Sequence, residues 1–137
     1  MTQAELESVL FMRGEMQEVE ADLATLRMTA DSVKPQIDGL PRSHRIIAQV
    51  EELTLKIIQQ EERLKMYKAA LSVLKVGLLE KIMSLGAPAA QQTVIIMRYV
   101  ECRSYKDIAF HTQFPLRHVY RLCEKFKIGH LTALGNL

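Results

Sequence analysis

Two stretches of the chain carry an apolar residue every three or four positions, and they keep the rhythm for longer than a solitary helix requires. The first series is Val9, Met12, Met16, Val19, Leu23, Leu26, Ala30 and Val33. The second is Ile46, Val50, Leu53, Ile57, Gln60, Leu64, Tyr67, Leu71, Leu74 and Leu78, with Gln60 its one polar member. A mean spacing of about 3.5 residues draws a seam that drifts slowly around a helix, and burying it takes a second helix wound alongside. The repeat persists beyond three heptads in each stretch, so paired helices are the strongest expectation here.

Helix breakers divide the chain accordingly. Lys34-Pro35 and Asp38-Gly39-Leu40-Pro41 bracket the gap between the two stretches, and Gly86-Ala87-Pro88 closes the second. So short a connection predicts an antiparallel hairpin. Its second helix is expected from about Ser43 to Leu85, on the order of 60 Å at 1.5 Å per residue, and its first about a third shorter. Beside its seam the second helix also carries Ile47, Leu55, Ile58, Met66, Ala70 and Val73. One partner helix is too narrow to cover both faces, which predicts a second contact, by self-association or by docking of the C-terminal part. Gln60 either sets register or oligomer state or is a polar residue tolerated near solvent.

After Pro88 the long repeat gives way to three short helical pieces, expected near Ala89–Glu101, Ser104–Thr112 and Pro115–Phe126. Ser104 suits an N-cap, with Asp107 three residues on, and Pro115 suits a helix start. The last two pieces follow the packing of a helix-turn-helix. Counted from Tyr105 as position one of twenty, Ile108, Phe114, Val119 and Leu122 fall at the apolar anchors (four, ten, fifteen, eighteen). Ala109 falls at the small position, five, where the helices touch. Two positions depart from the pattern. The turn residue that needs a left-handed backbone, often Gly, is Gln113, and position eight, usually apolar, is Thr112. The fold class expected is therefore all-α. A coiled-coil-like hairpin over 1–86 serves oligomerisation or partner binding, and a helix-turn-helix domain follows over 87–137.

Charge supports a division of labour. From Arg98 to Lys127 there are seven basic and three acidic side chains, whereas the first 97 residues hold eleven basic and thirteen acidic ones. A locally basic end on a chain of net charge +2 fits contact with phosphate at that end. With Val119, Leu122 and Phe126 inward, the last helix turns Leu116, Arg117, Tyr120, Arg121, Glu124 and Lys125 outward. Arg117 and Arg121 are one turn apart and suited to bidentate pairing with guanine. His118 and Tyr120 suit a phosphate or a base edge, while Arg103 and Lys106 are placed for backbone phosphates. The expected DNA-binding set is thus Arg103, Lys106, Leu116, Arg117, His118, Tyr120, Arg121 and Lys125.

The run Ile95-Ile96-Met97-Arg98-Tyr99-Val100-Glu101, then Ser104-Tyr105-Lys106-Asp107-Ile108-Ala109, then Arg117-His118-Val119-Tyr120-Arg121-Leu122, resembles region four of bacterial sigma factors. It resembles more closely a group of phage-encoded regulators, late-gene activators of the ArpU and RinA type, whose wording approximates L-R-Y-hydrophobic-E, W-E-E-I-A and S-R-R-H-V-Y-R-L. Members also carry a long helical N-terminal region. Only the last third of the chain matches closely in residues, and Arg-His-Val-Tyr-Arg-Leu is its most specific part. The resemblance implies sequence-specific transcription control from a phage or prophage, in the cytoplasm of a bacterial host, with the host RNA polymerase as a further partner. Tyr105 in place of Trp, Gln113 in place of Gly, and Phe114-Pro115 ahead of the last helix depart from the pattern and bear on sequence preference.

Other chemistry finds little footing. Cys102, His111, His118 and Cys123 lack the paired spacing of a zinc clip, and the two cysteines are expected as free thiols in a reducing compartment. No phosphate cradle, nucleophile elbow or metalloprotease motif occurs. No enzyme activity, cofactor or metal is expected. Neither a leader nor an uncharged run near the roughly 20 residues of a membrane span is present, so no membrane contact is expected. The leading expectation is a DNA-binding regulator acting as a homodimer or higher oligomer on double-stranded DNA. The alternatives are a subunit like the small subunit of a phage DNA-packaging terminase, and a protein that docks on RNA polymerase or a sigma factor.

Overall fold

In a computed structural model the residues described are 1–37 and 44–132. They are all-α, with no strand among them. Two long helices come first, α1 (Gln3–Ile37) and α2 (His44–Ser84), followed by the short helices α3 (Ala89–Ile95), α4 (Tyr105–Thr112) and α5 (Leu116–His130). Helix α1 runs through Lys34-Pro35 instead of stopping there. Pro35 has no amide to offer the Asp31 carbonyl, so the last turn of α1 forgoes one intrahelical bond. The Asp38-Gly39-Leu40-Pro41 connection lies outside the described residues.

The chain gathers into two compact units, and both long helices contribute to each. One unit is Gly14–Ala70. Here Val19 and Leu23 of α1 are buried, and Met16, Leu26 and Ala30 are half-buried. On α2 the residues Val50, Leu53, Ile57, Gln60, Leu64 and Tyr67 are half-buried, so both seams turn inward along this unit. The helices are antiparallel. Arg27 Nη2 lies 3.1 Å from Glu61 Oε1, while Ala30 and Asp31 share a groove with Thr54, Ile57 and Ile58. Gln60 Oε1 is buried there with no hydrogen-bond partner, a cost that a seam of leucines would not carry. Ile47, Leu55, Ile58 and Met66, for which a second contact was expected, are exposed.

The other unit joins Met1–Arg13 to the chain from Leu71 onward. Leu6 and Val9 of α1, and Leu71, Leu78 and Ile82 of α2, are buried; Glu5 Oε1 meets Lys81 Nζ at 3.0 Å, again antiparallel. To this pair of helix ends the unit adds the three short helices. Val94 and Ile95 of α3, Ile108 of α4, and Val119, Leu122, Cys123 and Phe126 of α5 are all buried. Helix α5 packs on both α3 and α4. Two long-range bonds tie α1 and Met1, just ahead of it, to this core. Arg13 Nη1 donates to the Cys102 carbonyl at 2.8 Å, and the Thr132 amide donates to the Met1 carbonyl at 2.7 Å.

The first of the short helices departs from its sequence expectation. Instead of one α-helix to Glu101, α3 ends at Ile95 and widens into a π-helical turn over Ile96–Val100. The Glu101 amide donates to the Ile96 carbonyl at 3.0 Å, five residues back, and the Arg103 amide reaches Met97 at 2.9 Å. Tyr99 and Val100, on this turn, are both buried. Cys102 then takes a left-handed backbone at φ 58°, which sharpens the corner before α4.

The division between buried and exposed faces of α2 is open to a direct check. Ile82 is fully buried, whereas Met66 is 70% exposed. Ile82→Ala is expected to cost about 2–5 kcal/mol. Met66→Ala is expected to change stability by no more than about 0.5 kcal/mol. Urea or thermal melts of the two variants measure the contrast, and equal losses would contradict this assignment of faces.

Candidate nucleic-acid interface

The corner between α4 and α5 is built from three residues, Gln113, Phe114 and Pro115, and each is used. Gln113 adopts the left-handed conformation, φ 60° and ψ 23°. The pattern asks for this backbone where glycine is common, and glutamine supplies it at a steric cost of about 1–2 kcal/mol. Thr112, the polar residue at an apolar position, helps to hold the turn. Its hydroxyl donates to the Ile108 carbonyl at 2.7 Å and accepts from the Phe114 amide at 3.3 Å. Pro115 stands just ahead of the first residue of α5 as its N-cap, and the His118 and Val119 amides bond its carbonyl. At the other end of α4, Ser104 is the N-cap expected; its hydroxyl accepts from the Asp107 amide at 3.1 Å.

The anchors of this corner point inward. Ile108, Val119 and Leu122 are buried, and Ala109 and Phe114 are half-buried. Together with Cys123 and Phe126 they fix the rotation of α5 about its axis. Arg117, Arg121 and Lys125, four residues apart, consequently form an exposed stripe along its far side. Lys106, in the first turn of α4, is exposed as well. None of these four cations has an ion pair, hydrogen bond or ring contact with another described residue.

The other candidates are more occupied. Arg103 is half-buried, with its guanidinium 3.6 Å from both Glu101 and Asp107, so part of its charge is neutralised locally. His118 is half-buried with its ring edge-on to Phe114 at 5.0 Å, a packing role on the flank of α5. Leu116 is half-buried. Tyr120 is exposed, but its ring lies 4.7 Å from that of Tyr105, the first residue of α4.

The four residues weighed as a zinc set have other employment. Cys102 and Cys123 are buried, His118 packs on Phe114, and His111 Nε2 lies 3.4 Å from Asp107 Oδ1. Burial pushes the Cys123 thiol up, opposed by the charges of Lys127 and Arg98. A thiol held in its neutral form is a poor ligand and nucleophile. Among the described residues no three His, Cys, Asp or Glu side chains converge as a metal site. No helix among them is long and apolar enough to cross a membrane.

Behind the corner lies a cluster that sequence reasoning did not assemble. The Arg98 guanidinium sits 4.4 Å over the centre of the Tyr105 ring and donates from Nη1 to the Arg103 carbonyl at 3.0 Å. Lys127 Nζ lies 5.8 Å from the Tyr99 ring. Burial pushes the Tyr99 phenol up, against the pull of Lys127. Burial by itself would lower Lys127, but the Tyr99 and Tyr105 hydroxyls and Glu124 outweigh it and raise it. Lys127 is therefore a cation turned to the aromatic cluster, not to the exposed stripe. The short spacing from Arg98 to Tyr105 hides this contact, because it depends on the π-helical turn and on Cys102.

No family model, curated protein or solved structure matches the chain. Its candidate site rests on its own residues.

The left-handed turn yields a stability prediction. Gln113→Gly removes the steric cost at φ 60° but adds backbone freedom to the unfolded chain, worth about 0.4–1 kcal/mol. The net is a gain of up to about 1.5 kcal/mol. Gln113→Val places a branched side chain in the same conformation and is expected to lose stability. Chemical denaturation of the pair should bracket the wild type from above and below.

Proposed function

We propose that the chain is a duplex-DNA-binding transcriptional regulator, with α4 and α5 as a helix-turn-helix and α5 as its recognition helix. The observation that carries this reading is the unpaired cationic stripe Arg117, Arg121 and Lys125 on α5, with Lys106 on α4, standing opposite a fully buried inner face. Exposed cations without carboxylate partners are what a polyanion needs, and on one helical face they follow one groove. Arg117 and Arg121, in the N-terminal half of α5, are suited to guanine edges; Lys106 and Lys125 are suited to phosphates.

Regulation of transcription, by a phage or prophage regulator acting in the cytoplasm of a bacterial host, is supported by the resemblance to sigma region four and to the ArpU and RinA type of activator. A single helix-turn-helix buries little surface on DNA, so paired half-sites and a homodimer are the working arrangement. Ile47, Leu55, Ile58 and Met66, left exposed on α2, supply apolar surface of the kind that self-association would cover. A second reading, docking on RNA polymerase, draws on Phe110 and Ile128, which are 80% and 82% exposed within the unit that carries the corner.

Binding to duplexes enriched from a random-sequence pool, titrated against salt, tests the proposal. The wild type should enrich a defined sequence. Arg117→Ala/Arg121→Ala should lose both affinity and preference, by at least about tenfold, given the ~1–3 kcal/mol of discrimination in each bidentate contact. Weak, salt-labile attraction, equal in both proteins and without enrichment, would leave docking on a protein as the better account.

A further inference from the structure

Tyr120 is an exposed side chain that is nevertheless held. Its ring packs on Tyr105 at 4.7 Å with the planes inclined by 42°. Tyr105 in turn carries the Arg98 guanidinium on its face, 4.4 Å from the ring centre. Arg98 is itself anchored, since its Nη1 donates to the Arg103 carbonyl at 3.0 Å. Its Nε is buried without a hydrogen-bond partner, a sacrifice that hydrogen bonding alone does not explain. The guanidinium is committed to the ring, where its flat, weakly hydrated face makes a cation–π contact that a lysine ammonium reproduces poorly. Three side chains thus form a stack that starts behind α4 and ends at the outer surface of α5.

The place where the stack ends matters. On a helical wheel at about 100° per residue, Tyr120 lies roughly 60° from Arg117, on the flank of the stripe. It is the flank nearer the start of α4, because Tyr105 is the first residue of that helix and Lys106 the second. In a helix-turn-helix on DNA the first helix crosses the sugar–phosphate backbone while the second enters the groove. A hydroxyl fixed on that flank, by a ring that packs on the first residue of α4, meets the backbone sooner than a base edge.

Resting on the DNA-binding reading above, we infer that Tyr120 is a pre-set phosphate contact and that Arg98, which does not reach DNA, is a positioning residue acting on it through Tyr105. Fixing the ring before binding removes the cost of ordering it on DNA. A phosphate contact anchors the register of α5 and carries no sequence information.

The test is equilibrium binding of the full chain to a short mixed-sequence duplex at several salt concentrations, with a thermal melt of each variant. Tyr120→Phe should weaken binding about tenfold, the scale of a hydrogen bond to a charged group. Arg98→Lys keeps the charge and should weaken it comparably. The double variant should be no weaker than either single one, because both remove the same contact. Neither substitution should alter the salt slope, whereas Lys106→Ala should lower it by about one phosphate. Tyr105 gives a second route should Arg98→Lys unfold. Tyr105→Phe, which keeps the stack, should bind as wild type does, and Tyr105→Leu should bind as Tyr120→Phe does. Losses that add between Arg98→Lys and Tyr120→Phe, or wild-type binding by Arg98→Lys, overturn the positioning role while leaving DNA binding intact. A wild type that binds no duplex at low salt overturns the DNA-binding reading itself.

Discussion

Val119, Leu122, Cys123 and Phe126 bury one side of α5 against α3 and α4, and the rotation this imposes decides which side chains are left outside. Fully burying residues of this size is worth about 1.5–3 kcal/mol each. No exposed charge on the opposite side competes with that, since surface ion pairs contribute about 0–1 kcal/mol. Arg117, Arg121 and Lys125 are outward because the apolar residues claimed the interior. The stripe is a by-product of packing whose chemistry the protein is then free to use.

The same unit spends backbone strain to build its two corners. Cys102 and Gln113 are the described non-glycine residues at positive φ, and each flanks α4. Both are held by bonds from elsewhere. Arg13 of α1 grips the Cys102 carbonyl. The Thr112 hydroxyl bridges the Ile108 carbonyl inside α4 and the Phe114 amide just past Gln113. Strained conformations persist where the surroundings over-determine them. Helix α4 is thereby clamped at both ends, and with it the angle at which it meets α5. An arginine near the start of the first long helix is accordingly part of the architecture of the corner, though far from it in sequence.

How much of this was legible in the sequence depends on the range of the interaction. The seams of α1 and α2 were readable residue by residue, because Val9 to Val33 and Ile46 to Leu78 repeat one demand many times. Each predicted seam residue is at least half-buried. The anchors Ile108, Val119 and Leu122 were readable because a tight helical corner admits few alternatives. The π-helical turn was not readable, since Ile96 to Val100 continues an apolar helical pattern and nothing in its spacing marks a wider turn. The stack of Arg98, Tyr105 and Tyr120 was hidden for the same reason. Its Arg98–Tyr105 contact crosses two backbone irregularities that periodicity does not record. Thr112 looked like a defect and is a staple, a role that spacing cannot reveal because it lies in the two bonds of one hydroxyl.

The outer face of α5, with the start of α4, is the surface we propose to meet DNA. Backbone and arginine side-chain NMR resonances followed during titration with duplex DNA address it most directly. Perturbations should cluster on Lys106, Arg117, Tyr120, Arg121 and Lys125, shrink as salt is raised, and spare the half-buried seam of Val50 to Tyr67. Perturbations centred elsewhere on the chain, or none at low salt, would contradict the proposal.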